Sequence, residues 1–207
     1  PAREIAKKLG SLGLLGMHLK GYECTGADAL SYGLACMELE AVDSGLRSLV
    51  SVQGSLAMFA IHSFGSDEHK DQWLPKLAAG EALGCFGLTE ADFGSNPSGM
   101  RTNAKRDGDD WILNGSKMWI SNSPFAQVAV VWAKDEKGEV HGVIVERGME
   151  GFSTPTTKGK WSLRASATGE LVFDNVRVPK ENILPNVKGM KGPLSCLTKA
   201  RYGIAWG

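Results

Sequence analysis

Between Ala27 and Gly65 apolar side chains return every three or four positions: Leu30, Leu34, Met37 and Ala41, then Leu46, Leu49, Leu56 and Ala60, with Gln53 taking one place in the second series. That spacing predicts helices with one buried face. Ser66 followed by Asp67-Glu68 reads as an N-cap with an acidic first turn, and Gly80 falls where that helix should stop. Gly10, Gly13 and Gly16 lack the order of a dinucleotide loop and a preceding strand, so they predict a helix broken by glycine. Beyond Gly84 the pattern changes to short β-rich runs divided by Asp107-Gly108, Asn114-Gly115 and Lys137-Gly138, each read as a turn. Val128, Val130 and Trp132, and later Leu171 and Phe173, alternate as in strands with one buried face. Pro179 closes this region, and Pro193 opens a new helix with Leu194, Leu197, Arg201 and Ile204 along one side. The fold class is α+β. A helical domain spans 1–83, an antiparallel β-sandwich or open barrel spans 84–185, and 186–207 hold a linker and the start of further helical structure.

Composition narrows the functions without choosing one. The chain has 207 residues, 43% hydrophobic and 22% charged, with 23 basic and 23 acidic side chains. That is ordinary globular usage, and it supplies no net field to draw nucleic acid or an anionic membrane. An anionic ligand must therefore be held locally. Cys24, Cys36, Cys85 and Cys196 form no paired motif, which fits a reducing compartment, and His18, His62, His69 and His141 show no ligand spacing, so no metal is expected. No apolar run reaches the roughly 20 residues of a membrane span.

Two segments carry candidate chemistry: Phe86-Gly87-Leu88-Thr89-Glu90-Ala91-Asp92-Phe93-Gly94-Ser95, and Trp119-Ile120-Ser121-Asn122-Ser123. Small residues and hydroxyls let backbone N–H groups approach a polar ligand, and an indole offers a flat apolar surface, a combination that suits a flavin dinucleotide. Spacing alone leaves two plainer readings open, a turn for the first segment and a core tryptophan for the second. Arg47, within Asp43-Ser44-Gly45-Leu46-Arg47-Ser48, is either a fixed cation for a carboxylate or a solvated helix residue paired with Asp43 four positions earlier. Asn114-Gly115-Ser116 matches a glycosylation sequon but reads better as a hairpin turn.

The wording of these segments resembles the acyl-CoA dehydrogenase flavoprotein family. Thr89-Glu90 followed by Gly94-Ser95 is similar to one family motif, and Trp119-Ile120-Ser121 to another, with serine in place of threonine. Leu163–Gly169 running into Leu171–Pro179 also fits, and Ala200-Arg201-Tyr202-Gly203-Ile204-Ala205-Trp206-Gly207 looks most like the branch that oxidises glutaryl-CoA. The resemblance implies a helical domain that starts before Pro1, a central β-domain, and the first helix of a carboxy-terminal helical bundle. It implies FAD held by Phe86, Gly87, Leu88, Thr89, Glu90, Gly94, Ser95, Trp119, Ile120 and Ser121. It also places Arg47, Ser48, Ser95, Leu194, Ser195, Leu197, Thr198 and Arg201 along the path of an acyl-CoA substrate, with Arg47 at the free carboxylate of glutaryl-CoA and Glu40 as its charge partner. The electron acceptor implied is electron-transfer flavoprotein, the assembly a homotetramer, and the setting a bacterial cytoplasm or mitochondrial matrix. The family's base is a glutamate of the carboxy-terminal domain that no residue here matches, so neither Glu40 nor Glu90 is assigned that role. Two alternatives stay open: a dehydrogenase of another short-chain acyl-CoA, and a truncated, non-catalytic fragment.

Overall fold

Glycine punctuates the first helix as its sequence suggests. In the computed structural model, which describes residues 2–207, α1 (Ala2–Ser11) ends in a turn where Gly13 and Gly16 adopt φ of +71° and +66°. A short hairpin, β1 (Lys20–Gly21) with β2 (Cys24–Thr25), leads to α2 (Ala29–Val42). The Asp28 carboxylate caps α2 by accepting from the Ser31 N–H at 2.7 Å. Asp43 caps α3 (Ser44–Ser51) in the same way through Gly45, and α3 runs without a break through a π-helical segment, Val52–Met58, into α4 (Phe59–Phe64). A reciprocal cap between Ser66 and His69 starts α5 (Asp67–Ala78). Gly80, at φ +71°, then turns the chain so tightly under α1 that a Cβ there would lie 2.2 Å from the Ala6 carbonyl oxygen.

The α2 stripe faces the other way from expectation. Leu30, Leu34 and Met37 are 57%, 49% and 44% exposed, while Tyr32, Gly33 and Cys36 are buried. The reason is the neighbour. α6 (Lys191–Trp206) crosses α2 so closely that a Cβ on Gly33 would sit 2.5 Å from the Trp206 ring, and one on Gly203 would sit 2.9 Å from the Tyr32 hydroxyl. The close approach requires glycine at Gly33 and Gly203, so the face of α2 bearing Tyr32, Gly33 and Cys36 turns inward and Leu30, Leu34 and Met37 turn out. The second series behaves as expected: Ala60 and Gln53 are fully buried, and Leu46, Leu49 and Leu56 are half-buried.

The β half is one seven-stranded sheet in the order β3 (Gly84–Gly87), β6 (Val128–Lys134), β4 (Asn103–Asp107), β5 (Asp110–Ser121), β9 (Thr168–Val178) and β8 (Phe152–Ser153), with β7 (Val140–Glu146) also paired to β6. The helical and β halves follow one another as the sequence indicates, and one helix ends the chain. The sheet itself is mixed, not wholly antiparallel: β3 runs parallel to β6 from Gly84 opposite Val128 to Gly87 opposite Val131, because the β4–β5 hairpin is inserted between them in the chain. Asp107-Gly108 closes that hairpin and Lys137-Gly138 joins β6 to β7, with φ of +65° and +80° at the glycines. Asn114-Gly115 is not a turn. It lies inside β5 as a bulge against β9, where Gly115 adopts φ +135° and the Asn114 side chain accepts from the Asn175 N–H at 2.9 Å.

Alternation in β6 proves to be one of size. Val128, Val130 and Trp132 pack with Met58, Ile61, Leu74 and Leu77 of the helical half, while Ala129, Val131 and Ala133 are equally buried against Leu171, Phe173 and Val176. β6 is thus the shared wall of two cores. Pro193 lies in the first turn of α6, whose Cys196, Ala200 and Gly203 face inward. Among the described residues no helix is long and apolar enough to cross a membrane, and all four cysteines are free thiols.

Candidate functional site

A cleft of about 300 Å³ opens where the π-helical segment, the end of β3, the end of β5 and α6 meet. Its walls include Phe86, Leu88, Thr89, Gly94, Ser95, Trp119, Ile120 and Ser121 from the β half, Val52 and Leu56 from the helical half, and Leu194, Leu197 and Arg201 from α6. Such a cleft is at the lower end of the size range for small-molecule sites. Thr89 and Ser121 stand on the same cavity although one lies in the loop after β3 and the other at the end of β5.

The Trp119 position is made by a second bulge in β5. Register against β9 slips between Lys117 and Ile120, and Trp119 adopts φ +58°, a left-handed conformation that costs a non-glycine residue about 1–2 kcal/mol. This turns the indole out of the sheet, 69% exposed, onto the cleft. Asn122, also left-handed at φ +68°, is buried and fastens the following turn: its side-chain amide donates to the Gly84 carbonyl at 3.3 Å, and its N–H donates to the Ala167 carbonyl at 2.8 Å. The Leu163–Gly169 motif therefore contacts the site's scaffold.

Two of the candidate cofactor residues do not line the cleft. A Cβ on Gly87 would lie 2.8 Å from the Leu171 side chain, so its Cα faces the half-barrel interior. Glu90 is turned beneath the loop and pairs with Lys117, 2.8 Å away. Burial raises the affinity of the Glu90 carboxyl for its proton, but the Arg101 N–H, the Lys117 ammonium and Thr102 outweigh it and hold the group well below the usual carboxylate range. Burial pulls Lys117 down from its ordinary value, and Glu90 opposes that pull.

Of the candidate substrate residues, Ser95, Leu194, Leu197 and Arg201 reach the cleft. Ser195 does not: its hydroxyl donates to the Gly192 carbonyl at 2.7 Å. Thr198 donates to the Leu194 carbonyl at 3.1 Å and borders a separate hollow of about 390 Å³ with His18, Tyr32, Lys199 and Tyr202. Arg47 and Ser48 also lie off the lining. Arg47 is not paired with Asp43, which is occupied in capping α3; its Nε donates to Glu40 Oε2 at 2.5 Å with 12% of the side chain exposed, close to Gly207 at the end of α6. Hydrogen bonds from Ser44 and Arg47 keep the Glu40 carboxyl below its ordinary value.

Val52, Leu56 and Pro97 line the cleft without having been marked by the sequence. The π-helical turn explains the first two. Its wider ring places Val52 and Leu56 toward the cleft while Gln53 points into the core, donating to the Leu77 and Ala82 carbonyls at 2.9 and 3.0 Å and accepting from the Gly84 N–H at 2.8 Å. Gln53 in an apolar series was the available signal. The histidine spacing likewise gave no hint that Asp135, Glu139 and His141 bring ligand-type atoms within 4.8 Å of one another on the β6–β7 hairpin. There Asp135 Oδ1 accepts the Lys137 and Glu139 N–H groups, and Lys188 Nζ lies 3.4 Å from Glu139.

A helical half, a curled mixed sheet and a closing helix around one inter-element cleft define the class of acyl-CoA dehydrogenase-like folds. The chain belongs to the acyl-CoA dehydrogenase family: the profile of its N-terminal domain matches residues 1–81 and that of its middle domain matches residues 85–176. A crystal structure of a glutaryl-CoA dehydrogenase from Mycobacterium smegmatis in complex with FADH2 is 61% identical, with a TM-score of 0.98, over 100% of this chain and 53% of that one. The mitochondrial short-chain specific acyl-CoA dehydrogenase of Mus musculus is 35% identical over 96% of this chain and 50% of its own length. The short-chain specific acyl-CoA dehydrogenase of Clostridium acetobutylicum is 37% identical over 98% and 55%. The chain thus spans about half the length of the relatives it matches.

Proposed function

We propose that this chain forms the flavin- and substrate-facing half of an FAD-dependent acyl-CoA dehydrogenase that acts on glutaryl-CoA. The observation that carries the flavin reading is the cleft itself, lined together by Thr89, Ser121, the bulge-mounted Trp119 and Leu194 and Leu197 of α6. FAD, when bound, supplies the acceptor for the β-hydride. Thr89 and Ser121 donate to the edge of the ring system, Trp119 covers its face, and Ser95 with Leu194, Leu197 and Arg201 borders the thioester's path. Serine in place of threonine keeps the hydroxyl at position 121 but frees its rotamer. No residue of this chain is assigned as base: Glu90 is engaged by Lys117 and Glu40 by Arg47.

The glutaryl assignment rests on the 61% identity and on Arg47, a guanidinium held by Glu40 near the α6 terminus. A distal carboxylate needs such a fixed, bidentate cation. After oxidation at the α,β-bond, the γ-carboxylate leaves as CO2, its electron pair delocalising into the unsaturated thioester before protonation gives crotonyl-CoA. Electrons pass on to electron-transfer flavoprotein, and the assembly is a homotetramer. The second reading, a neutral short-chain acyl-CoA, is favoured by the position of Arg47 outside the cleft lining. Steady-state kinetics of the full-length enzyme separates them. Glutaryl-CoA should be oxidised well and butyryl-CoA poorly, and Arg47→Ala should reduce kcat/KM for glutaryl-CoA by about 10²-fold or more while sparing butyryl-CoA. A preference for the neutral chain, or an equal loss on both, rejects the glutaryl reading.

A further inference from the structure

Beneath the cleft lies a charge pair that faces away from it. The Lys117 side chain is fully buried and that of Glu90 is 9% exposed. Lys117 Nζ donates to Glu90 Oε1 at 2.8 Å and to the Leu88 carbonyl at 3.2 Å, so one ammonium holds the residues on both sides of Thr89. Glu90 has further partners: Oε2 accepts from the Arg101 N–H at 2.7 Å and Oε1 from the Thr102 N–H at 3.0 Å. The Met118 N–H, next to Lys117 in β5, donates to the Thr89 carbonyl at 2.9 Å. Trp119 follows at once in its left-handed bulge.

Burying two charges is rarely the most stabilising use of such a volume, since well-packed apolar residues often do as well or better. What a pair with fixed partners supplies is one arrangement in preference to others. Here the arrangement concerns two segments: the chain after β3 that carries Thr89, and the bulge of β5 that carries Trp119 and Ser121. Neither Lys117 nor Glu90 lines the cleft, and both sit one or two residues from side chains that do.

We propose that Lys117 and Glu90 are positioning residues of the flavin site, clamping the Thr89 loop to the Trp119–Ser121 bulge at the spacing a bound isoalloxazine requires. This rests on the flavin reading given under Proposed function. The pair acts through Leu88, Thr89 and Met118 and touches no reacting atom. Its loss leaves the hydroxyls and the indole present but free to separate, and a misplacement of about 1 Å in a binding constellation is enough to lower function by about 10²-fold.

The test uses the full-length protein with Lys117→Met, Glu90→Gln and the double variant. In the flavin-free protein, amide hydrogen exchange should show lost protection at Arg101, Thr102 and Met118 in the single variants, with the β6–β7 amides unchanged. On titration with FAD, the dissociation constant should rise by about 10-fold or more, and bound-flavin fluorescence should increase as Trp119 loses its place against the ring. Removing both charges should recover thermal stability relative to Lys117→Met without recovering FAD affinity. Should Lys117→Met fail to fold, the isosteric Glu90→Gln gives the same readouts. Folded variants with wild-type FAD affinity and fluorescence overturn the proposal, whatever their melting temperature. A wild-type protein that takes up no FAD overturns the flavin reading first, and the proposal with it.

Discussion

Both ring nitrogens of His18 are buried and have no hydrogen-bond partner among the described residues, and the ring lies 4.7 Å from that of Tyr32. Burial, aided by the nearby charges of Lys199 and His62, lowers its pKa from 6.5 to about 4. In the unfolded chain the same imidazole takes up its proton at the higher value, so between pH 6.5 and 4 the unfolded state binds more protons. Stability must therefore fall as the pH drops through that window and level off below it, by about 3 kcal/mol from this group. His18→Leu removes the titration and the two unpaired nitrogens together. Urea midpoints of wild type and variant should diverge progressively between pH 7 and pH 4, with the variant the more stable at both. Parallel pH profiles would show that His18 binds its proton equally well in the folded and unfolded states.

Two elements illustrate how a turn glycine can be decided by conformation or by crowding. Gly80 and Gly108 have nearly the same backbone, φ +71° and +65°, but a Cβ on Gly108 meets nothing within 4 Å, whereas one on Gly80 would lie 2.2 Å from the Ala6 carbonyl oxygen. Gly108→Ala should cost only the left-handed penalty, about 1 kcal/mol, and Gly80→Ala should cost about 1–3 kcal/mol more because α1 must move off the end of α5. Equal unfolding midpoints for the two variants would refute the crowding argument. Elements were legible where the signal is local: the Ser66 cap, the Gly80 stop and the Asp107-Gly108 hairpin each depend on a few neighbouring backbone groups. Asn114-Gly115 misled because a bulge and a tight turn ask for the same left-handed glycine. In the site, the Thr89–Ser95 and Trp119–Ser121 segments were readable as motifs, while Val52 and Leu56 were not, since the polar Gln53 marks an irregularity in the apolar series without saying that the helix widens there to i→i+5 hydrogen bonds.

At the scale of the whole molecule, the apolar face left open by α2 decides how this chain behaves in isolation. Leu30, Leu34 and Met37 recur on one side of α2, Val42 at its end is 76% exposed, and Ile204 of α6 is 52% exposed. Large apolar side chains gathered on an open helix face favour association, and a formal net charge of zero gives little repulsion to oppose it. The 207-residue chain produced alone should therefore self-associate at micromolar concentration and hold FAD weakly. Leu34→Gln with Met37→Gln leaves the charge balance untouched and should shift sedimentation toward the monomer. A control pair, Lys105→Glu with Arg106→Glu at exposed positions of β4, changes net charge without touching α2. If association follows the control pair and ignores the glutamines, charge and not the α2 face governs it; if the glutamines alone dissolve the assemblies, the outward turn of Leu34 and Met37 is their cause.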